Sequence, residues 1–143
     1  MTTAKVLIAL GLAALFVRAQ VSETSTASSR VIIVKGTIKS KKVWGPPNFG
    51  ETPKQDARYV IYVLKLKEGK TATELSLNEE SENSHRRYTE LQLRCDIGLF
   101  PKCERLISHS VGREVTIGGR AEYRVAPTDY LPVTMDVFLI QKE

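Results

Sequence analysis

The 143-residue chain is poor in the side chains that most often carry chemistry: it has two histidines, two cysteines and one tryptophan. His85 and His109 have no ligand-spaced partner, so a zinc site, which takes three or four such ligands, is not supplied. A G-x-S-x-G nucleophile elbow is missing. Spacing alone does not exclude a Ser–His–acid triad, because triads are assembled in space. Glu79, Glu80 and Glu82 lie close together, but nothing apolar beside them would raise a carboxyl pKa. A phosphate-cradling glycine loop is also missing, since Gly118-Gly119 falls inside a strand pattern, where a bulge is expected. The expectation is a protein that is not an enzyme and holds no cofactor and no metal.

Long hydrophobic runs are absent too. The longest, Val6 to Val17, has twelve residues, and a membrane-spanning helix needs roughly 20. It follows Lys5 and precedes "VRA" at 17–19, the layout of a secretory signal cleaved after Ala19. Gln20 follows instead of Cys, so the usual lipoprotein anchor is not expected. Cleavage would lower Lys plus Arg from 21 to 19 against 16 acids, and net charge from +5 to +3. That mild balance does not by itself indicate nucleic acid. An exported chain meets an oxidising compartment, so Cys95 and Cys103 are expected to pair. Closing so short a loop stabilises a fold by about 2–3 kcal/mol in the chain-entropy view. The alternative, a redox pair, lacks the C-x-x-C spacing.

Residues 20–29 are small, polar and without periodicity, and read as a flexible leader. From Arg30 the texture changes. "RVIIVKGTIKSKKVW" at 30–44 reads as a long strand, with Gly36 marking a bend or bulge. "RYVIYVLKLK" at 58–67 reads as a second strand with both faces covered over part of its length. The stretch 68–87 is the most polar, an exposed connection in which "TELSL" at 73–77 could add a short edge strand. "YTELQLRC" at 88–95 alternates, with Leu91, Leu93 and Cys95 inward and Tyr88, Glu90, Gln92 and Arg94 outward. A short helix is expected after Pro101, with Leu106 and Ile107 on its inner face and Gly112 at the stop. Residues 113–125 and 133–141 complete the strands. The expected fold is all-β with one short helix: a five-stranded OB-like β-barrel over 30–143, with the helix between the third and fourth strands. Another small barrel or a sandwich is the alternative.

Several of these segments carry a resemblance. "VIIVKGTI", "GPPNFGETPKQDARYVIYVLKL", "VGREVTIGGRAEY" and "LPVTMDVFLI" together resemble a family of small exported bacterial proteins of unknown function with a Gly-Pro-Pro-Asn-aromatic loop. Gly45, Pro46, Pro47, Asn48 and Phe49 match that loop. Gly112, Val115, Ile117 and Gly119 match the fourth strand, and Pro132, Val133 and Val137 the last. The family often has a histidine-rich turn before its closing strand; here that turn is "RVAPTDYLP". The resemblance implies an exported OB-like domain and no particular chemistry.

What remains is a surface. OB-type barrels usually bind across strands two and three and the adjoining loops. Trp44, Pro46, Pro47, Asn48, Phe49, Arg58 and Tyr62 are therefore the candidate binding residues, with Tyr59, Tyr88, Lys41, Lys42 and Lys54 nearby. Aromatic and basic groups together would suit single-stranded nucleic acid, but export sets that use aside. A protein partner in the bacterial periplasm is the leading expectation, with the chain as an inhibitor or immunity factor against an envelope-targeting toxin or hydrolase. A carbohydrate- or small-ligand-binding module of the envelope is the alternative, and a hydrolase with an unrecognised site is a third. The loop also has a purely structural reading, in which Trp44 and Phe49 fold back to cap the barrel.

Overall fold

The structure is a computed structural model that describes residues 30–77 and 85–143. The expected signal segment 1–19, the leader 20–29 and Glu79, Glu80 and Glu82 lie outside those residues. The elements are β1 (Ile32–Trp44), β2 (Arg58–Lys70), β3 (Tyr88–Arg94), α1 (Cys103–Ser108), β4 (Glu114–Tyr123) and β5 (Val133–Lys142). The strands close into a barrel in the order β1-β2-β3-β5-β4. β3 and β5 run parallel, and every other pair is antiparallel. This is the expected five-stranded OB-like barrel.

Closure depends on β1 serving two partners. Ile32–Thr37 pair with β4, Gly36–Trp44 pair with β2, and Gly36 faces both Leu66 and Val115. A Cβ at Gly36 would stand 2.4 Å from the Lys65 carbonyl oxygen. Only a residue without a side chain lets the two backbones come that close. The Gly118-Gly119 bulge is also present: the β4–β5 register shifts between them, and a Cβ at Gly119 would meet the Asp136 carbonyl oxygen at 2.2 Å.

Alternate residues of each strand fill the interior. Ile38, Leu64, Leu91, Val115, Ile117, Met135 and Val137 are all buried, each side chain contributing about 1.5–3 kcal/mol. α1 adds Cys103 and Ile107 to the same core, and Phe100 packs beside them. The Cys95–Cys103 disulfide, with 5.8 Å between Cα atoms, ties the end of β3 to the first turn of the helix. The helix starts at Cys103, two residues after Pro101, and Gly112 follows with φ 80°.

Three expectations are corrected. The stretch 73–77 is not a strand but a set of turns, with Leu75 N–H donating to the Thr71 and Ala72 carbonyls. Thr71 N–H donates to the Glu74 carboxylate at 2.8 Å and Glu74 N–H to Thr71 Oγ1 at 3.3 Å. This reciprocal pair has the form of a capping box, and it turns Ala72, Leu75 and Leu77 into the core. Tyr88, expected outward, is buried in the core and meets Tyr123 edge-on at 6.3 Å. The β2–β3 register shifts between Lys65 and Lys70, which re-aims the start of β3. Gln92, also expected in solvent, is buried by the β4–β5 loop.

Gly36→Ala is expected to cost about 1–3 kcal/mol, as forced overpacking does. Gly98→Ala, on an exposed turn, should stay within about 0.5 kcal/mol. Urea unfolding of both variants measures the difference, and equal losses would remove the special role of Gly36.

Candidate functional site

The loop at 45–57 joins β1 to β2 and is built around one carboxylate. Gly45 N–H donates to the Ala57 carbonyl at 2.7 Å, and Ala57 N–H to the Pro46 carbonyl at 3.2 Å, which closes the base. Inside the loop, Asp56 is only 8% exposed. It accepts the backbone N–H groups of Asn48, Gly50 and Thr52 at 2.9, 2.8 and 3.1 Å. Asn48 Nδ2 donates to Thr52 Oγ1 at 2.6 Å. Burial works against the Asp56 charge, but the N–H donors and the Thr52 hydroxyl outweigh it and hold its pKa below the ordinary 3.8.

The aromatic residues have separate roles. The Tyr59 ring lies against Gly45, where an added Cβ would come within 2.0 Å of it. The Trp44 indole is half-buried against Gly50, with the Arg58 guanidinium 4.3 Å from its ring centroid. Pro46 and Pro47, joined by a cis peptide, are exposed. Phe49 stands at the tip, 42% exposed, with φ 51°. A bulky residue in the left-handed region is uncommon. Here the neighbouring N–H groups held by Asp56 impose it.

Of the expected site residues, Arg58 stacks on Trp44, and Pro46, Pro47, Asn48 and Phe49 are exposed on the adjoining loop. Tyr62 does not join them, because its side chain packs on the barrel core. Trp44 and Phe49 are not among the residues packed on that core. The basic neighbours Lys42 and Lys54 make no ion pair among the described residues, and Lys41 is paired with Glu90 at 2.6 Å. By the strand register Lys41 and Glu90 stand diagonally on either side of Val63. Their ion pair crosses that side chain, which is fully buried.

A second loop, 124–132, reinforces the arrangement. Tyr130 OH donates to the Trp44 carbonyl at 2.7 Å. Gln92 Nε2 donates to the Thr128 carbonyl at 3.0 Å, and its Oε1 accepts Tyr130 N–H at 2.7 Å and Leu131 N–H at 3.3 Å. Arg94 Nε binds Asp136 at 2.8 Å, its NH2 binds Glu122 at 2.9 Å, and its NH1 faces Asp129 at 3.7 Å. Burial opposes the Arg94 charge, but these carboxylates outweigh it and raise its pKa above the ordinary guanidinium value. The outer face of β2 and β3, where OB-type barrels usually bind, is thus partly covered by the chain itself. Sequence reasoning missed Asp56, Gln92 and Tyr130. Only Asp56 had a local signal, an acid closing a loop rich in Asn, Gly and Pro.

Elsewhere the chemistry is sparse. His85 and His109 are exposed, and His109 Nδ1 lies 2.7 Å from the Arg105 carbonyl. Among the described residues no three His, Cys, Asp or Glu side chains come together to hold a metal ion.

Because the folded-state pKa of Asp56 is lowered, its contribution is complete above the ordinary value near 3.8 and is lost as pH falls through the lower folded value. The Asn48, Gly50 and Thr52 amides should stay protected from exchange at about pH 5 and lose protection below that ordinary value. Asp56→Asn should loosen the loop at every pH and abolish the dependence, as read by amide exchange and Trp44 fluorescence. Unchanged protection in the variant would overturn the anchoring role.

No protein-family model matches the chain, and no curated protein matches it.

Proposed function

We propose that this chain is an exported, non-enzymatic binding protein that presents the 45–57 loop to a protein partner. In its concrete form it acts in the bacterial periplasm as an inhibitor or immunity factor against an envelope-targeting toxin or hydrolase. The observation that carries this reading is Phe49: an aromatic side chain at a loop tip, in a left-handed backbone, with 42% of its surface in solvent. Such a conformation costs on the order of 1–3 kcal/mol and persists only where the surroundings enforce it. Phe49 is not among the residues packed on the core. Pro46, Pro47 and the exposed Val60 widen the surface, and Arg58 and Lys54 supply charge at its edge.

One further observation supports export: the chain carries a disulfide, the kind of cross-link that persists in oxidising compartments. Glycan binding, the alternative, gains less support. Sugar stacking needs an open ring face, and Arg58 covers one face of Trp44.

The test is affinity capture by the tagged mature protein from its own host, with Phe49→Ala as the paired bait. A captured protein should bind the variant with about 30-fold lower affinity, the effect of losing an aromatic hot spot. Equal capture by both folded baits would return the loop to a structural role.

A further inference from the structure

A separate cleft of about 600 Å³ opens beside the disulfide, between the loop at 95–99 and the outer face of β4 and β5. Its volume lies within the range of small-ligand sites. Arg120 lies in it, with its guanidinium 5.6 Å from the centroid of the Phe138 ring. The Nε of Arg120 is buried and has no hydrogen-bond partner, and buried donors of that kind are rare enough to need a reason. Asp136 sits directly across from Arg120 in the sheet. It would be the natural partner, but Arg94 has taken it at 2.8 Å. No carboxylate among the described residues pairs with Arg120.

The opposite wall is apolar and held in place. Ile97 and Leu99 are 71% and 72% exposed. Asp96 Oδ1 accepts Gly98 N–H at 2.8 Å and Leu99 N–H at 3.3 Å, and the Cys95–Cys103 bridge closes the same loop. Two large aliphatic side chains are thus presented to water on a braced turn, beside a guanidinium without an acceptor.

We infer that this cleft binds a carboxylate joined to an apolar group, with Arg120 taking the carboxylate and Ile97, Leu99 and Phe138 receiving the apolar part. A planar guanidinium is suited to a two-point carboxylate contact. The neighbouring charges set the selectivity. Glu122, Asp129 and Asp136 converge on Arg94, and Asp96 lies on the rim, so acids outnumber the two arginines. A small bare anion gains little in such surroundings. Only an anion that also buries apolar surface is held. This chemistry has two sources, the C-terminus of a peptide ending in an aliphatic residue and a free branched-chain acid. The site does not depend on the 45–57 loop.

The experiment is an NMR titration of the folded, oxidised chain with Gly-Gly-Leu as its free acid, the same peptide as its C-terminal amide, 4-methylpentanoate and inorganic phosphate. The peptide acid should shift the amides of Ile97, Gly98, Leu99, Arg120 and Phe138. The peptide amide should bind about tenfold more weakly, as should Arg120→Gln with the acid, the loss expected of a charge-assisted hydrogen bond. Binding of 4-methylpentanoate alongside the peptide acid assigns the site to free acids and peptide ends alike, and its failure beside a bound peptide acid assigns it to peptide C-termini. The double variant Ile97→Ser, Leu99→Ser, altered only at exposed positions, should lose binding while keeping its fold. The inference is overturned if acid and amide bind equally, if phosphate shifts the same amides as strongly, if Arg120→Gln binds like the parent, or if neither acid binds.

Discussion

The approach of Gly36 to the Lys65 carbonyl is the contact on which the architecture turns. β1 can pair with β4 along its first half and with β2 along its second only if it bends at the residue shared by both ladders. A side chain at that residue would separate the strands by more than a backbone hydrogen bond tolerates. With the bend in place, the barrel closes and the inward alternation of five strands becomes one core. The interior is then sealed by segments that are not strands: α1 and the turns at 71–77.

The candidate loop follows a different logic. It buries little apolar surface of its own, and its shape is set by backbone amides gathered on Asp56. Polar anchoring of this kind fixes direction more sharply than packing does, because each N–H must point at an oxygen. That is how Phe49 comes to face solvent. The same device recurs on the far loop, where Gln92 and Arg94 of β3 hold residues 124–132 through side-chain bonds.

Much of the fold was legible in the sequence because it rests on short periods. The β-branched and alternating pattern of 30–44, the apolar faces of 58–67, the alternation of 88–95, the glycine at 36 and the Gly118-Gly119 pair each act locally, and the two cysteines allow only one internal pairing. The misses have non-local causes. Gln92 alternates like a solvent residue, and only a loop that starts more than thirty positions later buries it. Tyr88 is turned inward by a register shift between strands. Residues 71–77 did carry a readable signal, Thr71 followed by Glu74, which marks a turn and outranks the alternation of "TELSL". In the candidate site, the aromatic and proline residues stood out by type. Asp56 carried only a weak mark, an acid closing a loop rich in Asn, Gly and Pro, and residue type alone does not separate it from the other carboxylates among the 16 acids.

The bond from the Tyr130 hydroxyl to the Trp44 carbonyl has a kinetic side. It fastens the end of β1 to a loop that begins 80 residues later in the chain. On the proposed reading, a partner docking on the 45–57 loop would meet a backbone already held by hydrogen bonds. Association then waits on diffusion and orientation, near the ordinary 10⁵–10⁷ M⁻¹s⁻¹ (roughly) of rigid protein pairs, and not on a slow rearrangement. Differences among variants of that surface would be written in how long the complex lasts.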